Sequence, residues 1–225
     1  MIRLARLLPF AALAVLAACS DRGESNLVKI GRVIADQTFP EDPAVRAEPS
    51  RAELDAIPSA LLALTVSGQR AYVVPLTDNQ GYLTYLDANR RGLVMHDGAI
   101  TGTLGIGYDL QALKTQSDDP VFNQTPVSRW PGQVNRVYQY LERDQGEFIV
   151  SLTCTFERVA RERIEIVERS YDVIRIAETC TNQARQITNL YWVEEDTGFV
   201  WKSQQWVSPQ LPVFEIEIIR PYQAS

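Results

Sequence analysis

The chain has 225 residues, with 22 Lys and Arg against 28 Asp and Glu, a formal charge of −6 at neutral pH. That acidic balance disfavours nucleic acid and anionic lipid headgroups as partners. One histidine and three cysteines are a poor stock for a histidine-based triad or a metal site, so no catalytic residue, cofactor or metal is expected.

Arg3 and Arg6 precede the uncharged run Leu7 to Ala18, the basic leader and apolar stretch of a signal peptide. At about 1.5 Å per residue this run reaches roughly 18 Å, short of the ~30 Å a spanning helix must cross. It closes with Leu16-Ala17-Ala18-Cys19, which resembles the lipobox of bacterial lipoproteins, in which the cysteine thiol receives a diacylglycerol and the freed amine an acyl chain. The resemblance implies that residues 1–18 are removed, that Cys19 carries lipid and that residues 19–26 form a polar tether. An ordinary secretory signal ending near a cysteine is the alternative. Each buried methylene contributes about 0.8 kcal/mol, and two or more chains hold stably. Ser20 follows the cysteine where Asp would favour the inner membrane, so the sorting preference of such lipoproteins implies the periplasmic face of the outer membrane. Cleavage would leave 207 residues with 20 basic and 28 acidic side chains, a balance of −8, enough for one domain over residues 27–225.

Leu27, Ile30, Val33 and Ile34 recur at helical spacing and predict a short helix up to Asp36, followed by a proline-rich loop to Pro49. Ser50 with Glu53 forms a capping box for a second short helix that Pro58 stops. Strands follow. Ala60 to Pro75 and Tyr82 to Asp87 flank the turn signal Asp78-Asn79-Gln80-Gly81 and predict one hairpin. Leu93 to His96 and Ile100 to Leu110 predict another around Gly98, with Gly102, Gly105 and Gly107 as bends or bulges. Thr115 to Pro131 is the longest irregular link.

In the second half, Phe148, Val150, Leu152, Cys154 and Phe156 alternate with polar residues over a full strand. Further period-two stretches run over Arg163–Glu168, Tyr171–Cys180, Arg185–Glu194, Gly198–Val207 and Val213–Arg220. Short links of this kind predict an antiparallel meander. The fold class is therefore mainly β, a curved, half-barrel-like sheet of ten or so strands with short N-terminal helices across its open side; a β-sandwich is the alternative. Cys154 and Cys180 both fall on the apolar phase of their strands, and an exported chain joins two such thiols. Closing that loop would contribute roughly 3 to 4 kcal/mol.

Chemistry is sparse. His96 sits beside a turn without a Gly-x-Ser-x-Gly elbow. Gly105-Ile106-Gly107 lacks the third glycine and βαβ context of a phosphate loop. Asp87, Asp97, Asp109, Glu147 and the run Glu194-Glu195-Asp196 supply carboxylates that could hydrolyse a glycoside only if two converge. Trp130, Trp192, Trp201, Trp206 and Tyr108 suit the faces of sugar rings or a protein interface, and equally the core of a sheet. Trp201 and Trp206 fall on opposite faces of one strand, so one is exposed unless the sheet is covered on both sides.

The stretches Val200-Trp201-Lys202-Ser203-Gln204-Gln205-Trp206-Val207-Ser208-Pro209-Gln210-Leu211-Pro212, Phe214-Glu215-Ile216-Glu217-Ile218-Ile219-Arg220-Pro221 and Thr103-Leu104-Gly105-Ile106-Gly107-Tyr108-Asp109-Leu110, with the link Trp130-Pro131-Gly132, resemble the YjbF/GfcB family of capsule and exopolysaccharide lipoproteins. The resemblance implies a non-enzymatic accessory lipoprotein, with polysaccharide, an outer-membrane barrel-like protein and a soluble periplasmic protein as partners. It carries over no catalytic residue. The rival readings are a lipid or lipoprotein carrier using a half-barrel cavity and a carboxylate-dependent glycoside hydrolase.

Replacing Cys19 with Ser is expected to move the protein from the membrane fraction into the soluble periplasmic fraction. A Cys19→Ser protein that still sediments with membranes would remove the anchor.

Overall fold

A computed structural model describes residues 48–223 apart from 88 and 143–145, with the backbone alone for 141, 142, 146 and 147. Cys19, the tether and the helix expected before Asp36 lie outside the described residues. The capping box forms as the sequence dictates: the Ser50 side chain accepts from the Glu53 amide, and the Ser50 amide donates to the Glu53 carboxylate at 2.8 Å. It starts helix α1, Arg51–Asp55.

The strands are β1 Leu61–Val66, β2 Gln69–Val73, β3 Pro75–Asn79, β4 Tyr82–Leu86, β5 Gly92–His96, β6 Ala99–Leu104, β7 Leu110–Thr115, β8 Gln133–Glu142, β9 Gly146–Ile166, β10 Arg169–Thr181, β11 Gln186–Val193, β12 Val200–Gln205 and β13 Phe214–Arg220. Every recorded pairing is antiparallel. One sheet has nine strands in the order β2-β1-β13-β12-β11-β10-β9-β8-β7, and the other has four in the order β3-β4-β5-β6. The run from β7 to β13 is the expected meander, and it does not close into a barrel.

Three elements differ from expectation. Ala60 to Pro75 is itself a hairpin, β1 with β2, turning at Ser67 (φ 51°) and Gly68 (φ 77°); two successive left-handed residues give the twist a tight hairpin needs. β8 is a full strand that the apolar pattern hides, because Arg136 occupies an inward position between Val134 and Tyr138. β9 is one strand of 21 residues, its apolar rhythm broken by the charged stretch Arg158 to Arg163.

Each face of the large sheet packs against something different. The inner face supplies Val134, Tyr138, Val150, Leu152, Ile174, Ile176, Val193, Phe214 and Ile216 to the main core, and the small sheet closes over it with Tyr85, Leu93, Met95 and Ile100. A cover of sheet rather than helix lies on that side. Helix α1 packs on the outer face instead, where Leu54 and Ile57 meet Leu61, Ala63, Tyr72, Ile166 and Ile219. β9 and β10 overrun β11, and their turn reaches back to this second core, where Glu168 accepts from the Arg51 amide at 3.3 Å and Arg169 pairs with Asp55 at 3.1 Å.

Cys154 and Cys180 are cross-strand partners on β9 and β10, both fully buried and joined in a disulfide across 26 residues. The double substitution Cys154→Ala/Cys180→Ala is expected to lower stability by about 3 to 4 kcal/mol under the chain-entropy account, read as a lower urea midpoint, and reductant should move wild type in the same direction. An unchanged midpoint would show that the bridge contributes nothing.

Candidate functional site

The strand alternation, covered on both sides, decides where the aromatic candidates go. Trp206 enters the inner core edge-on to Tyr138, with ring centroids 5.1 Å apart, and Arg185 lies 5.4 Å from its ring centre. Trp201 enters the outer core and stacks on Tyr171 at 3.9 Å. Trp192 is buried on the outer face, donating from its indole to Glu162 beneath the Lys202 ammonium. Trp130 packs edge-on to Phe156 at 5.0 Å, and its indole donates to the Thr125 carbonyl at 2.7 Å. Tyr108 alone of the five is largely open, at 63% exposure. The structure does not bring the five together.

The Gly-Ile-Gly segment is a loop built around its own acid. The Asp109 carboxylate accepts from the Gly105 amide at 2.9 Å, the Ile106 amide at 3.1 Å and the Thr103 hydroxyl at 3.0 Å. Gly105 (φ 68°) and Gly107 (φ 79°) provide the left-handed backbone that wraps these donors inward. Amides satisfied by Asp109 are not presented to a phosphate.

The remaining polar candidates also hold local structure. His96 stacks on Phe122 and tilts against Tyr82. Asp87 accepts from Arg91, and Asp97 from Gln124. Glu147 falls among the residues described by backbone alone. The other acids, Glu194, Glu195 and Asp196, share an open groove of about 430 Å³ with Glu162, Asp172 and Arg161. There Glu195 pairs with Arg161 at 2.6 Å, and Asp172 takes both prongs of Arg163 at 2.7 and 2.9 Å. The Arg163 fork holds the Asp172 carboxyl below its ordinary range, the wrong direction for the acid of a glycosidase.

The strongest electrostatic feature is one the sequence pattern concealed. Arg136 is 1% exposed and projects from β8 into the main core. Its guanidinium forks onto Asp119 at 2.9 and 3.1 Å and meets Glu178 at 2.9 Å. The same Glu178 oxygen accepts from Asn189 at 2.7 Å and from the Tyr191 hydroxyl at 3.1 Å, while its other oxygen has no hydrogen-bond partner among the described residues. Asp119 also takes the Thr115 hydroxyl and the Val121 amide, so this cluster pins the irregular link between β7 and β8 onto the sheet. Its sequence signal is a charge on the inward phase of an apolar alternation, at Arg136 and again at Glu178 between Ile176 and Cys180.

One guanidinium faces two carboxylates here, and they respond differently. Burial would raise Asp119, but the forked Arg136 outweighs it and holds the carboxyl below its ordinary range. Glu178 has only one prong, and burial pushes its carboxyl above that range.

A family described as group 4 capsule polysaccharide lipoprotein gfcB, YjbF, matches residues 31–219 of the chain. The chain is similar to the uncharacterized lipoprotein GfcB of Escherichia coli K12, with 25% identity over 176 residues, covering 75% of this chain and 79% of the relative. The crystal structure of the hypothetical lipoprotein YmcC from Escherichia coli K12 has the same fold, with a TM-score of 0.70 at 21% identity, over 90% of this chain and 99% of that one.

Because the folded Glu178 binds its proton more tightly than an unfolded glutamate, its ionisation drains stability as pH rises above about 4.5; Asp119 does the reverse, adding stability that is lost only as pH falls through its depressed value. Glu178→Gln is therefore expected to be neutral or stabilising at pH 7, and its advantage over wild type should shrink towards pH 4.5. Asp119→Asn leaves Arg136 half-paired in the core and should cost about 3 to 5 kcal/mol. Equal losses from the two substitutions in urea unfolding would refute this division of roles.

Proposed function

Since the chain belongs to the YjbF family of group 4 capsule polysaccharide lipoproteins, we propose that it is a non-enzymatic accessory factor in the production or export of a capsule or exopolysaccharide. Lipid on Cys19 holds it at the periplasmic face of the outer membrane, with an outer-membrane barrel-like protein and a soluble periplasmic protein of the same system as partners. The observation that carries this reading is the extent of the family match, which runs from residue 31 to residue 219 and so includes both sheets.

The site geometry supports a surface-acting role over the two rivals. A carrier of acyl chains needs an enclosed aliphatic space of several hundred Å³. The cavity between the two sheets, at Leu83, Tyr85, Met95, Val200 and Ile218, measures about 130 Å³. Elsewhere the inner face is filled by Tyr138, Tyr191, Phe214 and the Arg136 cluster. Of the carboxylates that a hydrolase would use, Glu195, Asp172 and Asp87 are engaged by Arg161, Arg163 and Arg91.

Deleting the gene is expected to reduce surface polysaccharide severalfold, and a copy carrying Asp172→Asn and Glu195→Gln should restore it as well as wild type does. Normal polysaccharide in a deletion strain that still depends on the neighbouring export genes would sink the reading. Loss of complementation by a stable carboxamide variant would point to catalysis instead.

A further inference from the structure

The part of the outer face that neither α1 nor the β9–β10 turn covers has an unusual composition. Register places Gln133, Thr155, Thr179 and Thr188 in one row across β8, β9, β10 and β11. The next row along the strands is Asn135, Thr153, Thr181 and Gln186. Strands lie about 4.8 Å apart and the rows about 6.7 Å apart, so each row extends roughly 14 Å. Thr179 is half-buried and the other seven side chains are exposed. Their neighbours along each strand, among them Val134, Leu152, Cys154 and Cys180, are core, so the alternation commits all eight outward.

No member of either row is charged. On the same face of the same sheet, β12 and β13 carry Lys202, Glu215 and Glu217 in ion pairs, and β10 carries Arg175 against Glu162. A solvated sheet face of an acidic protein ordinarily keeps such charges. Hydroxyl and carboxamide groups both donate and accept, and here few of them are used internally. Thr153 donates to Asn135 at 3.0 Å and Thr155 reaches the Thr179 carbonyl at 3.5 Å. The side chains of Gln133, Thr179, Thr181, Thr188 and Gln186 have no hydrogen-bond partner among the described residues. Val137, paired with Ser151, flanks the second row with apolar surface, and Ile149, 50% exposed, lies one outward pair farther along β9.

The geometry points to this face of β8–β11 as a binding surface for the uncharged, hydroxyl-bearing stretches of a polysaccharide chain. The identification rests on the proposed role in polysaccharide production and names the surface that performs it. A linear sugar polymer offers hydroxyls that donate and accept at regular intervals, with apolar ring faces between them. Two parallel rows of hydroxyls and carboxamides, with Val137 beside them and Ile149 one pair farther along, match both features. Phosphate- or carboxylate-rich polymers would require guanidinium or ammonium groups, which the rows lack. Threonine is stiff about χ1, so the five threonines lose little freedom when a ligand binds.

The test uses the intact lipoprotein in detergent micelles, with the producing strain's own purified surface polysaccharide, hydroxyethyl cellulose as a neutral probe and alginate as an anionic one. Wild type should be retarded in affinity electrophoresis by the first two and not by alginate. Thr155→Val/Thr179→Val/Thr188→Val keeps the β-branched shape and should weaken retardation about tenfold or more, from three lost hydrogen bonds, with an unchanged unfolding midpoint. Thr153→Lys is the second variant, should the triple variant fold poorly, and it should weaken binding in the same way. Undiminished binding by folded variants overturns the surface, as does wild type that ignores its own polysaccharide. Concentration-dependent dimerisation of wild type that Thr153→Lys abolishes would make the face a contact between copies and also overturn it. A deletion strain that lacks polysaccharide and is fully rescued by the triple variant leaves the accessory role standing while this surface falls; a deletion strain with normal polysaccharide removes the role itself.

Discussion

The antiparallel pairing of β9 with β10, from Ile166 and Arg169 beside the turn to Thr153 and Thr181 at the far end, sets the position of each other layer. Both strands are too long to serve one layer only. Their inner phase supplies Leu152, Cys154, Ile174, Ile176 and Cys180 to the main core, and their overrunning ends supply Ile164, Ile166 and Tyr171 to the second. The register shift at Arg175/Ile176 separates the two parts on β9, between Cys154 and Ile164, and falls between Ile174 and Ile176 on β10; such irregularities bend a strand and increase its twist. A hairpin that serves two cores keeps both faces of the large sheet dry at one end, which is why Trp201 is packed on the outer face, while Trp206, beyond the other end of β12, packs inward against Tyr138.

Within the main core the Arg136 cluster adds a constraint that apolar packing cannot supply. Leu, Ile and Val tolerate alternative neighbours, whereas a buried guanidinium accepts only partners that neutralise it and fit its fork. Asp119 is such a partner, and it lies in the irregular link between β7 and β8. The Asn123 side chain donates to the Asp119 carbonyl at 2.7 Å, and the Thr125 amide closes on the Pro120 carbonyl at 3.1 Å. The link is therefore ordered from its charged anchor outward. Net stabilisation need not follow, because an ion pair costs much in desolvation; what the cluster contributes is one arrangement instead of several.

How much of this could be seen in the sequence depends on whether a feature is local. The capping box at Ser50 and Glu53, the turn at Gln80 and Gly81, and the alternation from Phe148 to Phe156 need only a few consecutive residues, and they form as written. β8 escaped because Arg136 looks like a break in an apolar rhythm when its partners, Asp119 and Glu178, are 17 and 42 residues away. The fate of the tryptophans was legible only as a condition, since no pattern along one strand says whether its far side is covered. Asp109 could be read as a candidate acid, but its use by the Gly105 and Ile106 amides is a property of the folded loop. The threonine and glutamine rows were the least visible, because a row exists only in the register, and shifting one strand by a single residue would disperse it.

The division of the outer face bears on what kind of recognition such a protein can perform. One half carries paired charges and is partly covered by α1 and the β9–β10 turn; the other is open, and its two rows carry no charge. A flat array of hydroxyl and amide groups, without an enclosing pocket, gives each sugar few contacts and little discrimination. Its usefulness rises with the length of the ligand, because a polymer that leaves one register can bind in the next, and many weak encounters along one chain act as a high effective concentration. That suits a factor proposed to accompany a growing or exported polymer, where tight capture would stall movement. An enclosed site would instead hold one residue firmly and release it slowly. The filled inner face and the open outer rows thus favour passage over storage, which is the physical distinction between an export accessory and a carrier.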